Sequence, residues 1–159
     1  MKLLAVALYR QQGPDADPVT LGLAAELSSF GYFQRGSVKE MLAFLSKTIV
    51  QRTVPGQRQT VKQEDYYCHV HMRDGGIAGV AVTDKDYPTI AAFSVIGKAL
   101  EEYMEQSAES WRTASGEDAQ ASRSAVGVHW LWRALVVAAS SCASYLHLSK
   151  VACKMQQYC

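Results

Sequence analysis

The chain has 159 residues, 48% of them apolar and 19% charged, with a formal net charge of +1. That balance fits one ordinary globular domain. It excludes a disordered chain, and it excludes a nucleic-acid binder that relies on bulk positive charge.

The charge is unevenly distributed. Residues 1–120 carry twelve Lys/Arg against fifteen Asp/Glu, whereas 121–159 carry four basic residues and no acidic one. Three of the four cysteines (Cys142, Cys153 and Cys159) and two of the three tryptophans (Trp130 and Trp132) also fall in 121–159. The break places a boundary near Gln120, between a domain at 1–120 and a basic, apolar tail at 121–159 expected to be helical or poorly ordered.

The chain opens Met-Lys-Leu-Leu-Ala-Val-Ala-Leu, superficially like the apolar region of a secretory signal. The apolar run stops at Leu8, and no small-residue cleavage site follows. Lys2–Tyr9 therefore reads as a strand buried on both faces. Without secretion the cysteines are expected to be reduced. A turn cluster from Gly13 to Pro18 leads into a second strand, Val19–Leu27, which makes a hairpin with the first. Ser28–Gly36 is a loop containing Phe30, Tyr32 and Phe33. Ser37, with Glu40 three residues on, has the spacing of a capping box and predicts a helix start. Val38, Met41, Leu42, Leu45 and Ile49 form its apolar stripe, with Phe44 at the edge, and Pro55-Gly56 ends it.

Three strands follow: Arg58–Lys62, weak and polar; Tyr66–Arg73; and Ile77–Thr83, the last two joined by a tight turn at Asp74-Gly75-Gly76. Pro88 suits the first turn of a second helix, Thr89–Gln106, whose apolar face is Phe93, Ile96, Leu100, Tyr103 and Met104. The order β-β-α-β-β-β-α predicts an α/β (α+β) domain. It has a five-stranded, mostly antiparallel sheet with helices on both faces.

This order resembles a longin domain, a profilin-like fold. The resemblance is carried by Met1-Lys2-Leu3, by Ser28-Ser29-Phe30-Gly31-Tyr32-Phe33-Gln34-Arg35-Gly36-Ser37-Val38-Lys39-Glu40, by Val61-Lys62-Gln63-Glu64-Asp65-Tyr66-Tyr67-Cys68-His69-Val70, and by Ala78-Gly79-Val80 followed by Asp86-Tyr87-Pro88. These words resemble one subgroup, the prenylated and palmitoylated R-SNAREs of the synaptobrevin-homologue family, from residue 1 to about 112. The resemblance implies a regulatory domain in vesicle-mediated transport and membrane fusion, in ER and Golgi traffic. It implies a cytoplasmic protein peripheral to Golgi, ER or vesicle membranes. In this family the domain folds back on its own SNARE helix or lipid anchor, through an apolar surface around the first helix and third strand. Here that surface would comprise Phe30, Phe33, Met41, Phe44, Leu45 and Val61. Implied partners are SNARE helices or trafficking adaptors, with an acyl chain or membrane surface as further ligands and no nucleic acid. For Met41 and Leu45, ordinary core packing is an equal alternative. An adaptor or tethering-complex subunit with no SNARE role is the alternative function.

The sequence also departs from the family. Only 39 residues follow Gln120, sustained heptads are absent, and the prenylation position four from the end is Gln156. A truncated or alternatively spliced product, or an erroneous gene model, is the expectation. Ala134–Leu148 is mostly small and apolar but shorter than the ~20 residues of a membrane span. An unselected helix is favoured there over an interfacial one. In the interfacial case Cys142, Cys153 and Cys159 are candidate acylation sites.

No catalytic constellation and no cofactor motif is visible. Palmitoyl transfer has been attributed to the family, but no residue here makes a mechanism, so the chain is expected not to be an enzyme. His69 and His71 share one strand face without the Cys, Asp or Glu neighbours of a metal site, which favours a structural role. Cys68 faces the other way, with Val70, as a small buried hydrophobe. Arg73–Gly79 is glycine-rich but joins strand to strand and lacks the phosphate-loop pattern, so it reads as a hairpin turn.

Overall fold

A computed structural model describes residues 2–13, 16–107 and 112–113. The tail at 121–159, with Cys142, Cys153 and Cys159, and the boundary at Gln120 lie outside the described residues. Five strands and two helices follow the expected order: β1 (Leu3–Arg10), β2 (Val19–Ala25), α1 (Arg35–Gln51), β3 (Arg58–Gln63), β4 (Tyr66–Met72), β5 (Ile77–Asp84) and α2 (Thr89–Ser107). Apart from the start of α1, boundaries differ from the sequence reading by no more than two residues.

The strands form one sheet in the order β2-β1-β5-β4-β3, and every neighbouring pair is antiparallel. The two hairpin systems, β1–β2 and β3–β4–β5, meet where β1 pairs with β5. β1 and β5 are central strands buried along almost their whole length, which explains the continuous apolar runs Leu3–Tyr9 and Ile77–Val82. Hydrophobic burial on both faces holds the domain together.

On one face α2 presses Ala92, Val95, Ile96, Ala99, Leu100 and Tyr103 onto Leu3, Val6, Leu8 and Ala81. Gly79 of β5 lies directly beneath this helix. A methyl group there would sit 2.6 Å from Ile96 Cγ2, so glycine permits the close approach. On the other face α1 packs Leu42, Ile49 and Val50 onto Leu4, Tyr9, Cys68, Val70, Met72 and Val80. Ser46, in the middle of that buried stripe, returns its hydroxyl to the Leu42 carbonyl at 2.7 Å. The hydroxyl of Tyr9 donates to the Ala43 carbonyl at 3.4 Å, so β1 also touches α1 through a polar contact.

The start of α1 corrects the sequence reading. A 3-10 turn, Tyr32–Gln34, runs directly into the helix, and the residue ahead of it is Gln34 with no side-chain cap. Ser37 is the third residue of the helix, not its cap. The chain is already wound before Arg35, through the Gln34 N–H bonded to the Gly31 carbonyl at 2.8 Å, so the side-chain box is not used. Pro88 stands one position ahead of α2, where its carbonyl accepts the Ala92 N–H at 3.1 Å. The β4–β5 turn closes through the Gly76 N–H to the Arg73 carbonyl, and Gly76 has φ +80°, a left-handed conformation that favours glycine.

Candidate functional site

Among the described residues, α1 and the turn ahead of it carry four of the six exposed large apolar side chains, Tyr32, Phe33, Met41 and Phe44; Val54 and Ile90 are the others. Successive residues of a helix rotate by about 100°, so Leu42, Ser46, Ile49 and Val50 define the buried stripe while Met41 and Phe44 fall on the opposite side. Met41 is 52% exposed and Phe44 73%. Phe33, in the preceding 3-10 turn, is 94% exposed and stands edge-to-face with Tyr32, ring centroids 5.6 Å apart. Phe44 thus lies well away from the buried stripe, not at its edge.

The six candidate residues divide into two sets. Phe33, Met41 and Phe44 are exposed; Phe30, Leu45 and Val61 are half-buried and pack against the α1-side core. Val61 reaches that core from β3, directly opposite Cys68 of β4. The second set therefore forms a base continuous with the core. Tyr32, 79% exposed beside Phe33, belongs with the outer set. It was visible in the sequence as a loop aromatic, but a loop has no periodicity from which to read exposure.

The loop that presents Tyr32 and Phe33 is held by charge. Arg35 donates from Nε to the Phe30 carbonyl at 3.1 Å and from Nη2 to the Ser28 carbonyl at 3.4 Å. Glu26 accepts the Ser28 N–H at 3.0 Å. Hydrogen bonds from Ser28, side chain then backbone, hold the Glu26 carboxyl below its usual range despite a small opposing effect of burial, and Arg35 adds to the lowering. These groups line an open cleft of about 390 Å³ with Leu27, Gly36 and Lys39. None of the six candidate residues lines that cleft.

The opposite sheet face carries His69, 1% exposed. Its Nδ1 lies 2.9 Å from Thr60 Oγ1 on β3 and its Nε2 3.1 Å from Thr83 Oγ1 on β5. Its ring meets Phe93 of α2 edge-to-face. Burial pushes its pKa below the ordinary histidine value. A neutral imidazole satisfies both hydroxyls, one as donor and one as acceptor, so the residue pins three strands together. The pKa of His71, on the same strand, is lowered by burial and by Arg58 and Arg73. Cys68 is buried among apolar groups, which pushes its thiol up to about 11. Among the described residues no group of three or more His, Cys, Asp or Glu could hold a metal ion.

The longin family description, regulated-SNARE-like domain, matches residues 27–123, more than half of the chain. The chain belongs to the longin family. The VAMP-like protein YKT61 of Arabidopsis thaliana is 41% identical over 120 residues, covering 76% of this chain and 60% of that protein. The synaptobrevin homolog ykt6 of Schizosaccharomyces pombe is 44% identical over 105 residues, covering 65% and 52%. The synaptobrevin homolog YKT6 of Saccharomyces cerevisiae is 38% identical over 104 residues, covering 65% and 51%. The chain therefore spans about half to three-fifths of the length of these relatives. Their names are those of SNARE-type trafficking proteins rather than enzymes. No helix among the described residues of this longin domain is long and apolar enough to cross a membrane.

Proposed function

We propose that this longin domain regulates membrane fusion by binding, with the exposed face of α1 as its contact surface. One observation supports the reading above the others: Met41 and Phe44 on α1, and Phe33 in the turn that leads into it, are three large apolar side chains left in solvent. Such a face favours the apolar stripe of an amphipathic helix, and in this family's setting a SNARE helix is the fitting partner. Phe30, Leu45 and Val61 would form the floor against which that stripe settles. An acyl chain is the alternative ligand of the same floor. The domain acts without catalysis, and its membrane association is peripheral, on ER, Golgi or vesicle surfaces. If the tail lies at a membrane, Cys142, Cys153 and Cys159 are the sites to examine for acylation.

The test is capture of purified SNARE helices by the full chain and by its Phe44→Glu variant. The expected result is loss of binding in the variant with an unchanged circular dichroism spectrum. Equal capture by both forms would remove the α1 face from the proposal.

A further inference from the structure

The hydrogen bonds of buried His69 lead out to the surface. Thr83 is fully buried, and its hydroxyl meets the His69 Nε2 at 3.1 Å with no other hydrogen-bond partner among the described residues. A buried hydroxyl that only accepted would leave its own proton unbonded, so Thr83 donates to Nε2. The imidazole, kept neutral by burial, then carries its hydrogen on Nδ1 and donates it to Thr60 Oγ1, 2.9 Å away. Thr60 stands exposed on β3. The proton of its own hydroxyl is therefore left to donate outward.

Thr60 has an exposed cation on each side. Side chains at i and i+2 of a strand share a face, so Arg58 and Lys62 stand with Thr60 on the side of the sheet that α2 covers. Each lies about 6.6–6.8 Å from Thr60 along the strand, a separation that a long Arg or Lys side chain spans. In β4, His71 is directly opposite Arg58, and Tyr67 is directly opposite Lys62. Tyr67 stacks on His69, ring centroids 6.4 Å apart, and Phe93 of α2 meets the same imidazole edge-to-face. Arg73, beyond His71, is held by Glu101 at 3.5 Å, but neither Arg58 nor Lys62 forms an ion pair among the described residues. Two cations thus flank one outward-donating hydroxyl, on a floor fixed by buried contacts.

We propose that this surface binds a phosphate monoester, with Thr60 Oγ1 and the cationic heads of Arg58 and Lys62 as donors to its oxygens. The chemistry favours phosphate over a carboxylate. A monoester carries about −1.5 to −2 charge near neutral pH and three terminal oxygens, one for each donor group. A carboxylate carries one charge and two oxygens. Hydrogen bonds from charged donors to phosphate are short and strong, and the guanidinium of Arg58 can take two oxygens at once. His71, half-buried opposite Arg58, borders the anion on the β4 side. The site lies on the sheet face opposite α1, so it does not depend on the contact surface proposed there. Two sources present this group: a soluble phosphate ester, and the phosphorylated headgroup of an inositol lipid.

The experiment titrates the ¹⁵N-labelled full chain with inorganic phosphate at neutral pH, against acetate at equal ionic strength, and reads chemical shifts by NMR. The amides of Arg58, Thr60 and Lys62 and the ring of His71 should shift saturably with phosphate and stay in place with acetate. Thr60→Val keeps the branched side chain without its hydroxyl and should weaken phosphate binding about tenfold. Arg58→Gln/Lys62→Gln leaves the buried pairing of His69 in place and should weaken it about tenfold or more. Absence of saturable shifts, equal shifts with acetate, or unchanged affinity in either variant would overturn the proposal. A second arm separates the sources by sedimentation with phosphatidylcholine vesicles, with and without a phosphatidylinositol monophosphate. Sedimentation that needs the inositol lipid and is lost in Arg58→Gln/Lys62→Gln assigns the phosphate to a headgroup. Phosphate binding without such sedimentation assigns it to a soluble ester, and either result upholds the site. Phe44→Glu, measured in parallel, should bind phosphate as the parent does, which separates this site from the α1 face.

Discussion

Replacing Gly79 by alanine tests how closely α2 is seated on the sheet. The added methyl would stand 2.6 Å from Ile96 Cγ2 and 3.3 and 3.4 Å from Leu100 Cγ and Cδ1. Carbon atoms in contact prefer about 3.5–4.0 Å, so roughly 1 Å must be absorbed at Ile96. Ile96 is fully buried and its Cγ2 is attached directly at the branched Cβ, so the atom cannot swing aside without moving the helix. Overpacking of this kind costs about 1–3 kcal/mol. The loss of glycine's freedom in the unfolded chain returns about 0.4–1 kcal/mol. The net expectation is a loss of about 0.5–2 kcal/mol, or about 4 °C in Tm for each kcal/mol. Urea unfolding followed by circular dichroism measures it. Leucine has no Cγ2, and Ile96→Leu alone should cost under about 1.5 kcal/mol. The double variant Gly79→Ala/Ile96→Leu should therefore lose at least about 1 kcal/mol less than the two single losses combined. A Gly79→Ala variant as stable as the parent, or single effects that add within about 0.5 kcal/mol, would refute the close seating of α2.

Other outcomes follow from the same geometry. Phe44→Glu should change stability by no more than about 0.5 kcal/mol in urea unfolding, because the side chain is already in solvent. The folded pKa values of His69 and His71 lie below the ordinary 6.5, so the unfolded chain binds more protons as pH falls through that value. The contribution of these two histidines is then present in full well above pH 6.5 and is lost as pH falls below it, with a slope of at most about 1.4 kcal/mol per pH unit for each. Glu26, whose ordinary value is 4.5 and whose folded pKa is lower, adds its own loss only at more acid pH, so His69→Gln should flatten the curve between these windows. Cys68 should resist alkylation at pH 8 in the native chain and react on unfolding, as peptide mapping by mass spectrometry would show. Arg35→Ala should raise amide exchange in residues 28–33, since two carbonyls of that loop lose their donor.

The hairpins, both helices and their order were legible in the sequence because each rests on local chemistry. The β4–β5 turn is marked by Asp74-Gly75-Gly76, and the apolar runs of β1 and β5 are those of buried strands. Ser37 misled because a capping box is recognised by spacing, while the 3-10 turn ahead of it depends on how the loop folds. The true exposure of Phe44 was hidden for a related reason: a stripe containing Met41 reads as wider than the face α1 buries. The setting of His69 needs Thr60 and Thr83 from two other strands, and no local pattern announces such a meeting.

The central position of β1 has a consequence for how the chain is made. Its residues pair with β5 partners 67 to 80 positions further on, from Arg10 with Ile77 to Leu3 with Thr83. During synthesis the most apolar stretch of the domain leaves the ribosome first and finds its inner neighbour only after residue 84 has emerged. Until then the inner edge of β1 is unpaired and the face that α2 covers is bare, since α1 alone precedes β5 in the chain, and small isolated hairpins are marginal in water. The nascent chain thus carries its stickiest segment through nearly the whole of the domain's translation, the interval in which a chaperone has most to bind.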